Sequence, residues 1–333
     1  MIPRRSDASA VGDAAALLTA AREVTLLAHL NPDADALGSA LALAIALHRR
    51  GAAVQVSFAT PDEVPEALRP LDALGLVVPS DEVWAAPQVL VCCDAAEPGR
   101  LGHLADRLST AGTTLMIDHH ASNPGFGAVR VLDPDAEATV VLVHQVLVAM
   151  GVALDADIAR CLYAGLVTDT RGFRTAGRSA HLLAADLIAA GVHPPEVVAP
   201  LMDTHPFSWL AALGGIIAGA RLDPAAAGGL GLVHALVPLE VGSRFRSTEV
   251  DSVIDVVRTA GEAEVAAVFK QVAPQRWVVS LRSNGRVDVA AAAARMGGGG
   301  HPAAAGFTAD GLPDVLLDVL RRALAADRPR LVG

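Results

Sequence analysis

The stretch HLNPDADALG (29–38) carries one histidine and two aspartates at positions i, i+4 and i+6, with no lysine or arginine to balance them. Its neighbours decide the fold. Upstream, VTLLAHL (24–30) is a nearly continuous apolar run that ends in polar residues, the pattern of a parallel strand buried on both faces. Downstream, residues 36–50 include ALALAIAL, an Ala/Leu pattern that favours helix, and Gly51 is a glycine stop. Pro32 biases Asn31 toward extended backbone. The stretch is therefore predicted to be a loop before the helix rather than its start, with Gly38 and Ser39 in the first helical turn, where the helix dipole favours an anion. An aspartate before a helix, such as Asp35 taken alone, reads as an N-cap.

The same pattern repeats outward. AVQVSFA (53–59), QVLVCCD (88–94) and TLMID (114–118) are further buried-strand runs, and helices are expected over 136–150, 156–166 and 178–190. Alternating strands and helices imply βαβ units and an α/β fold with an open, mostly parallel sheet flanked by helices. Pro194, Pro195 and Pro200 interrupt that pattern. Beyond them, LGLVHALVP, EVAAVFKQV and RWVVSLRS read as strands, with helices at 247–260, 287–296 and 312–326, which is a smaller C-terminal α+β domain. The expected organisation is a first domain over 1–195, a helical connector over 196–227 and a second domain over 228–328.

Composition narrows the function classes. The chain has 333 residues, 52% of them hydrophobic but only 3% aromatic, so Ala, Leu and Val must build the cores. Mean hydropathy is +0.42, yet every apolar run is interrupted before the roughly 20 residues that a membrane-spanning helix needs. The N-terminal MIPRRSDASAVGD has no apolar segment of signal-peptide length behind its arginines, so a cytoplasmic protein is expected. Cys92, Cys93 and Cys161 form no CxxC and read as buried thiols. A net charge of −10 argues against a broad grip on long DNA or RNA. A short anionic substrate remains compatible if cations are supplied locally.

In open α/β sheets, ligands bind at the carboxyl ends of the strands. His29, Asp33 and Asp35 follow the first strand, Asp94 ends the third, and Asp118, His119 and His120 end the fourth. Asp169, in GLVTDTRGF, follows an apolar helical run that reaches the same edge. Carboxylates gathered so closely repel one another, and divalent cations relieve that repulsion. Carboxylate and imidazole without thiolate suit Mn²⁺ or Mg²⁺ better than structural Zn²⁺. About six ligands point to two ions, with Asp94 the best bridging candidate.

HLNPDADALGS, the strand-end Asp94, DHH at 118–120 and TDT at 168–170 resemble, in order, the four motifs of the DHH phosphoesterase superfamily. SLRSN (280–284) and GGGGHPAAAGF (297–307) resemble its DHHA1 substrate-binding domain. Within that superfamily the chain resembles the NrnA-type oligoribonucleases, which also remove the 3′-phosphate of 3′-phosphoadenosine 5′-phosphate (pAp). Relatives of that subgroup are associated with cyclic di-AMP breakdown. The resemblance implies two Mn²⁺ ions, with Mg²⁺ or Co²⁺ as substitutes, activating water for in-line attack on phosphorus. His29, Asp33 and Asp94 would hold one ion, and Asp35, Asp94, His119 and Asp169 the other. His120 would face the substrate phosphate, and Asp118 would orient the histidine pair. A homodimer is the family expectation. Two positions depart from the pattern, Ala34 and Arg171, where the family commonly has glycine.

In the second domain, Gly298, Gly299 and Gly300 would let backbone approach a ligand closely, with His301 projecting from a fixed loop. Arg282 could clamp a terminal phosphate, flanked by Ser283 and Asn284, with Arg295 as a second cation. A basic subsite paired with an acidic metal site favours short RNAs, pAp and linear or cyclic di-AMP as substrates. Cyclic di-AMP as the main substrate and a non-catalytic nucleotide sensor are the alternative readings.

Overall fold

The computed structural model describes residues 8–326 and divides after Thr204 into two compact units. Residues 196–204 of the expected connector belong to the first unit and 205–227 to the second. Residues 1–7, and 327–328 of the expected second domain, lie outside the described residues.

The first unit is built on five parallel strands: β1 (Glu23–Leu27), β2 (Ala53–Ser57), β3 (Val89–Cys93), β4 (Thr113–Asp118) and β5 (Val129–Leu132). Their order is β2-β1-β3-β4-β5. The chain leaves β1 toward one edge and returns beside it to build toward the other, which opens a crevice at the carboxyl ends of β1 and β3. The helices are α1 (Ala8–Ala20), α2 (Ala34–Arg49), the single turn α3 (Arg107–Thr110), α4 (Thr139–Ala149), α5 (Ala156–Asp169), α6 (Arg178–Ala189) and α7 (Pro194–Val198). Helix α2 is buried from Ala34 to Leu47 because its whole circumference is apolar or small.

Helices α2 and α5 cross closely. A Cβ on Gly38 would lie 2.5 Å from the Cys161 carbonyl oxygen, and one on Gly165 would lie 2.7 Å from Asp35 Oδ1. Gly38 is therefore a packing glycine in the second turn of α2, not an anion-facing residue of the first.

The opening stretch differs from its prediction in two ways. Asn31 is left-handed (φ 51°) rather than extended, and its N–H donates to the Thr60 carbonyl at 2.7 Å. Asparagine tolerates this region better than most residues, and a tertiary hydrogen bond outweighs the proline's local bias. The helix also starts earlier. Asp33 is the N-cap, its Oδ1 accepting from the amides of Asp35 and Ala36, so Asp35 sits inside the first turn. Ala34, the first helical residue, consequently needs no glycine.

The second unit has a mixed sheet in the order β10-β11-β9-β8-β7-β6. Its strands are β6 (Arg221–Asp223), β7 (Leu232–Val237), β8 (Val265–Ala273), β9 (Arg276–Ser283), β10 (Gly299–His301) and β11 (Ala304–Asp310). Among the described residues of this sheet only β7 and β8 pair in parallel. Helices α8 (Phe207–Ala218), α9 (Ala226–Gly229), α10 (Leu239–Gly242), α11 (Ser247–Val257), α12 (Val289–Arg295) and α13 (Pro313–Ala325) complete it. Val265, Ala267, Phe269, Val279, Leu281 and Phe307 build a core on one face of this sheet, against α12 and α13. Among the described residues no single helix is long and apolar enough to cross a membrane.

Candidate active site

All six predicted ligands of the first unit converge at the crevice between β1 and β3. Three groups of side chains bring donor atoms within 4.8 Å of one another: His29, Asp33 and Asp94; Asp35, His119 and Asp169; and Asp94, His119 and His120. Asp94 belongs to two of the groups. It directly follows β3 and holds a left-handed conformation (φ 58°), with its N–H donating to the Ile117 carbonyl at 2.9 Å. That turn aims the carboxylate back across the strand ends.

The imidazoles are set by their second nitrogens. His29 Nδ1 lies 2.8 Å from the Leu30 carbonyl oxygen, and His119 Nδ1 lies 3.1 Å from that of Ala136. A carbonyl only accepts, so each Nδ1 carries the proton and each Nε2 presents a lone pair. His29 Nε2 faces Asp94 Oδ2 at 3.5 Å and Asp33 Oδ2 at 3.6 Å. His119 Nε2 faces Asp169 Oδ2 at 3.3 Å, Asp94 Oδ1 at 3.7 Å and Asp35 Oδ2 at 4.0 Å. Backbone-locked Nδ1 with Nε2 turned toward carboxylates is the arrangement of metal-ligating histidines. Most of these spacings exceed a hydrogen bond. They are of the order expected across a small cation, around which adjacent octahedral oxygens lie about 3 Å apart. The donor set thus fits hard divalent cations.

His120 is held differently. Its Nδ1 donates to Asp118 Oδ1 at 2.7 Å, and Asp118 is fully buried. Asp118 Oδ2 in turn accepts from the Asn123 side-chain amide at 2.5 Å, and Oδ1 also accepts from the His119 N–H. Nδ1 is therefore committed, which leaves Nε2 of a half-exposed ring to meet a ligand. His120 lies beside the ligand cluster with a carboxylate behind it.

The electrostatics express a demand for positive charge. Burial works against charging His29 and His119. Asp33 and Asp94 nevertheless push His29 up to about 10, and Asp169, Asp35 and Asp94 do the same for His119. The hydrogen bond to Asp118 raises His120. Burial, then repulsion from Asp169 and Asp94, raises the Asp35 carboxyl well above its ordinary range. Burial, then Asp33 and Asp94, brings Asp169 up to about 6. Divalent ions would satisfy these carboxylates in place of protons.

Asp169 closes α5, and the chain then runs left-handed at Arg171 (φ 53°), Gly172 (φ 69°) and Phe173 (φ 65°). Arg171, where the family commonly has glycine, itself takes the left-handed conformation. Thr170 holds the turn, its Oγ accepting from the Phe173 N–H at 3.1 Å and donating to the Leu166 carbonyl at 2.6 Å.

Three residues at this site escaped sequence reasoning. Asn123 supports Asp118 as described; its signal was proximity to DHH. Arg100 Nη2 lies 3.2 Å from His29 Nδ1, where two N–H groups meet without a hydrogen bond because Nδ1 gives its proton to the Leu30 carbonyl, and the Arg100 carbonyl accepts from the Leu30 N–H at 2.8 Å. Thr139, at the start of α4, donates its hydroxyl to Asp94 Oδ1 at 2.7 Å and its N–H to Asp35 Oδ2 at 2.7 Å. No local pattern announces a contact 104 residues away.

In the second unit the end of the glycine run enters a strand rather than the expected loop. Gly299–His301 pairs antiparallel with β11, His301 opposite Ala304, and Ala304 is in turn opposite Arg282 on β9. Directly opposed residues share a face, so His301 and Arg282 flank the small Ala304 on one side of the sheet. Gly299, Gly306 and Ser280 form the next row of that face. Only glycine permits this closeness: a Cβ on Gly298 would lie 2.1 Å from the Gly306 carbonyl oxygen, and one on Gly300 2.6 Å from that of Ala304.

Two of the residues expected at the substrate are engaged within the protein. Ser283 is buried, its hydroxyl donating to Glu264 Oε1 at 2.9 Å and accepting from the Gly285 N–H at 3.1 Å, so it serves the turn. Arg295 Nη1 donates to the Ala323 carbonyl at 3.0 Å in the last turns of α13. Arg282 Nη1 meets the Leu281 carbonyl at 3.0 Å, Asn284 is exposed, and Glu264 also accepts from the Arg286 N–H at 2.7 Å.

The DHH family, N-terminal domain, matches residues 23–166, and the DHHA1 domain matches residues 232–326. The chain is 32% identical to the bifunctional oligoribonuclease and PAP phosphatase NrnA of Thermus thermophilus, over 92% of this chain and 90% of that one. A crystal structure of an exopolyphosphatase-related protein from Bacteroides fragilis shares the fold, with TM-score 0.85 and 20% identity over 97% of both chains. The Mn²⁺ complex of RecJ from Thermus thermophilus gives TM-score 0.56 at 16% identity, covering 96% of this chain and 55% of that one.

Proposed function

Because this chain belongs to the DHH phosphoesterase family and carries a DHHA1 domain, we propose that it is a manganese-dependent hydrolase of short oligoribonucleotides that also removes the 3′-phosphate of pAp. The observation that carries the reading is the pair of carbonyl-locked histidines whose free nitrogens face a ring of shared carboxylates. Similarity to the Thermus oligoribonuclease and PAP phosphatase supports the substrate class.

His29, Asp33 and Asp94 would hold one ion, and Asp35, Asp94, His119 and Asp169 the second. Bound there, two divalent ions supply Lewis acidity toward phosphoryl oxygens and lower the pKa of water. The chain's own residues do the rest. Asp94 offers one oxygen to each histidine and so sets the spacing of the two halves. His120, oriented by Asp118, presents Nε2 to a phosphoryl oxygen and can hold a proton there. Arg282 and His301, side by side across β11, would bind a base or a phosphate of a short substrate.

The test is release of phosphate and nucleotide from pAp, pApA and cyclic di-AMP with Mn²⁺, for the wild type and Asp94→Asn. Turnover of pAp and pApA that disappears in the variant is expected. Turnover of cyclic di-AMP faster than pApA would move the main activity there. No turnover of any of them by the manganese-loaded wild type would sink the proposal.

A further inference from the structure

We propose that Thr139 is a positioning residue of the metal centre, whose hydroxyl locks the carboxylate plane of Asp94 so that one oxygen is turned to each of the two histidines. The inference rests on the two-ion reading above. Helix α4 has no side-chain cap of its own, since its N-cap is Ala138. In its place Asp35 accepts from the first two helical amides, Oδ2 from Thr139 at 2.7 Å and Oδ1 from Val140 at 2.9 Å. The start of α4 is thereby pinned to one ligand carboxylate, and Thr139 uses its side chain to hold another, Asp94 Oδ1, at 2.7 Å. Thr139 and Asp35 are fully buried and Asp94 is 3% exposed, so water does not replace these bonds.

The terminal torsion of an aspartate is soft and roughly two-fold. Nothing intrinsic to Asp94 keeps its carboxylate in the plane that turns one oxygen to His29 and the other to His119. The Thr139 hydroxyl fixes that plane, because its single proton bonds the oxygen on the His119 side. It also takes up one lone pair of Oδ1, which leaves that oxygen a single direction toward an ion on the His119 side. The role is specific to the hydroxyl; the threonine methyl and N–H would stay in place in a purely structural residue.

Binding of Mn²⁺ to metal-free protein, followed by calorimetry and by the electron paramagnetic resonance of free Mn²⁺, separates the two roles. Thr139→Val keeps the shape and the N–H and removes only the hydroxyl; Thr139→Ser keeps the hydroxyl. The valine variant should unfold in chelator near the wild-type temperature. It should bind one ion normally and the other about 10–100-fold more weakly, the range of lost outer-shell contacts, with serine restoring binding to within about threefold. Wild-type isotherms for the valine variant would overturn the proposal. So would a serine variant as weak as valine, since the methyl would then be what matters. A wild type that binds no Mn²⁺ would overturn the two-ion reading and this inference with it.

Discussion

Buried side chains bonded to one another fix the Asp/His cluster of the first unit, whereas backbone shape fixes the His301/Arg282 face of the second. Around Asp94, Asp35 and Asp118 the partners are Thr139, the first amides of α4, and Asn123, all at most 8% exposed. Residues 297–301, by contrast, are exposed throughout, and strand register together with the absence of Cβ atoms places them. The difference matches the ligands proposed for each. Small cations demand donor placement within tenths of an ångström, which only a packed hydrogen-bonded shell gives. A nucleotide end can be met by an open face with one cation, one ring and a flat floor.

The comparison can be broken at either side. Asp94→Asn should have the largest effect. Asparagine tolerates the left-handed backbone at this position (φ 58°), so the fold should persist in a urea melt. Activity should fall beyond the roughly 10–100-fold expected of outer-shell changes, with bound Mn²⁺ reduced. Two glycine substitutions sharpen the contrast. A Cβ at Gly165 would meet Val140 Cγ1 at 2.6 Å and Asp35 Oδ1 at 2.7 Å. Gly165→Ala should therefore cost about 1–3 kcal/mol by overpacking and weaken Mn²⁺ binding. Gly298→Ala should cost a similar amount through Gly306 and Phe307, yet raise KM with Mn²⁺ affinity unchanged. The opposite assignment of those two readouts would refute the division of labour.

Smaller effects test the supports. Glu264→Ala leaves the Ser283 hydroxyl and Arg286 N–H without their acceptor, so a loss of about 1–3 kcal/mol and a raised KM are expected. The smallest effect should come from Asp155, the N-cap of α5, paired with Arg49 outside both sites. Partial burial works to raise its carboxyl, but Arg49 and the Ile158 and Asp157 amides hold it below the ordinary range. The folded value is depressed, so the contribution is complete above the unfolded pKa of about 3.9 and is lost as pH falls through the lower folded value. Its side chain is 44% exposed, so screening limits the effect to below about 1 kcal/mol. Urea midpoints of wild type and Asp155→Asn should converge below pH 4.

The strand ends and their acidic residues were legible because a strand buried on both faces must be apolar until the chain leaves the sheet. That makes the polar residues after Leu27, Cys93 and Ile117 stand out. The helix start at Ala34 was misjudged because the local bias of Pro32 was weighed above the capping capacity of Asp33. Strand β5 was missed because Val129–Leu132 is only four residues long with an exposed Arg130. Strand β10 was invisible because glycine has no strand preference; the pairing depends on Ala304 and Ala305 lying opposite. Thr139 looked like any first residue of an apolar helix.

The bond from Thr139 to Asp35 spans 104 residues, and the cluster is complete only with Asp169. On a ribosome the chain emerges at roughly 5–20 residues per second. Asp33, Asp35 and Asp94 are therefore exposed for several seconds before α4 and α5 exist to organise them. The protein is thus born with its acidic residues unassembled, and the proposed catalytic cluster matures as a late event of synthesis. Ribosome-stalled chains ending before Thr139 should lack the site altogether, while chains that extend well past Thr204 should hold it before the second unit has been made.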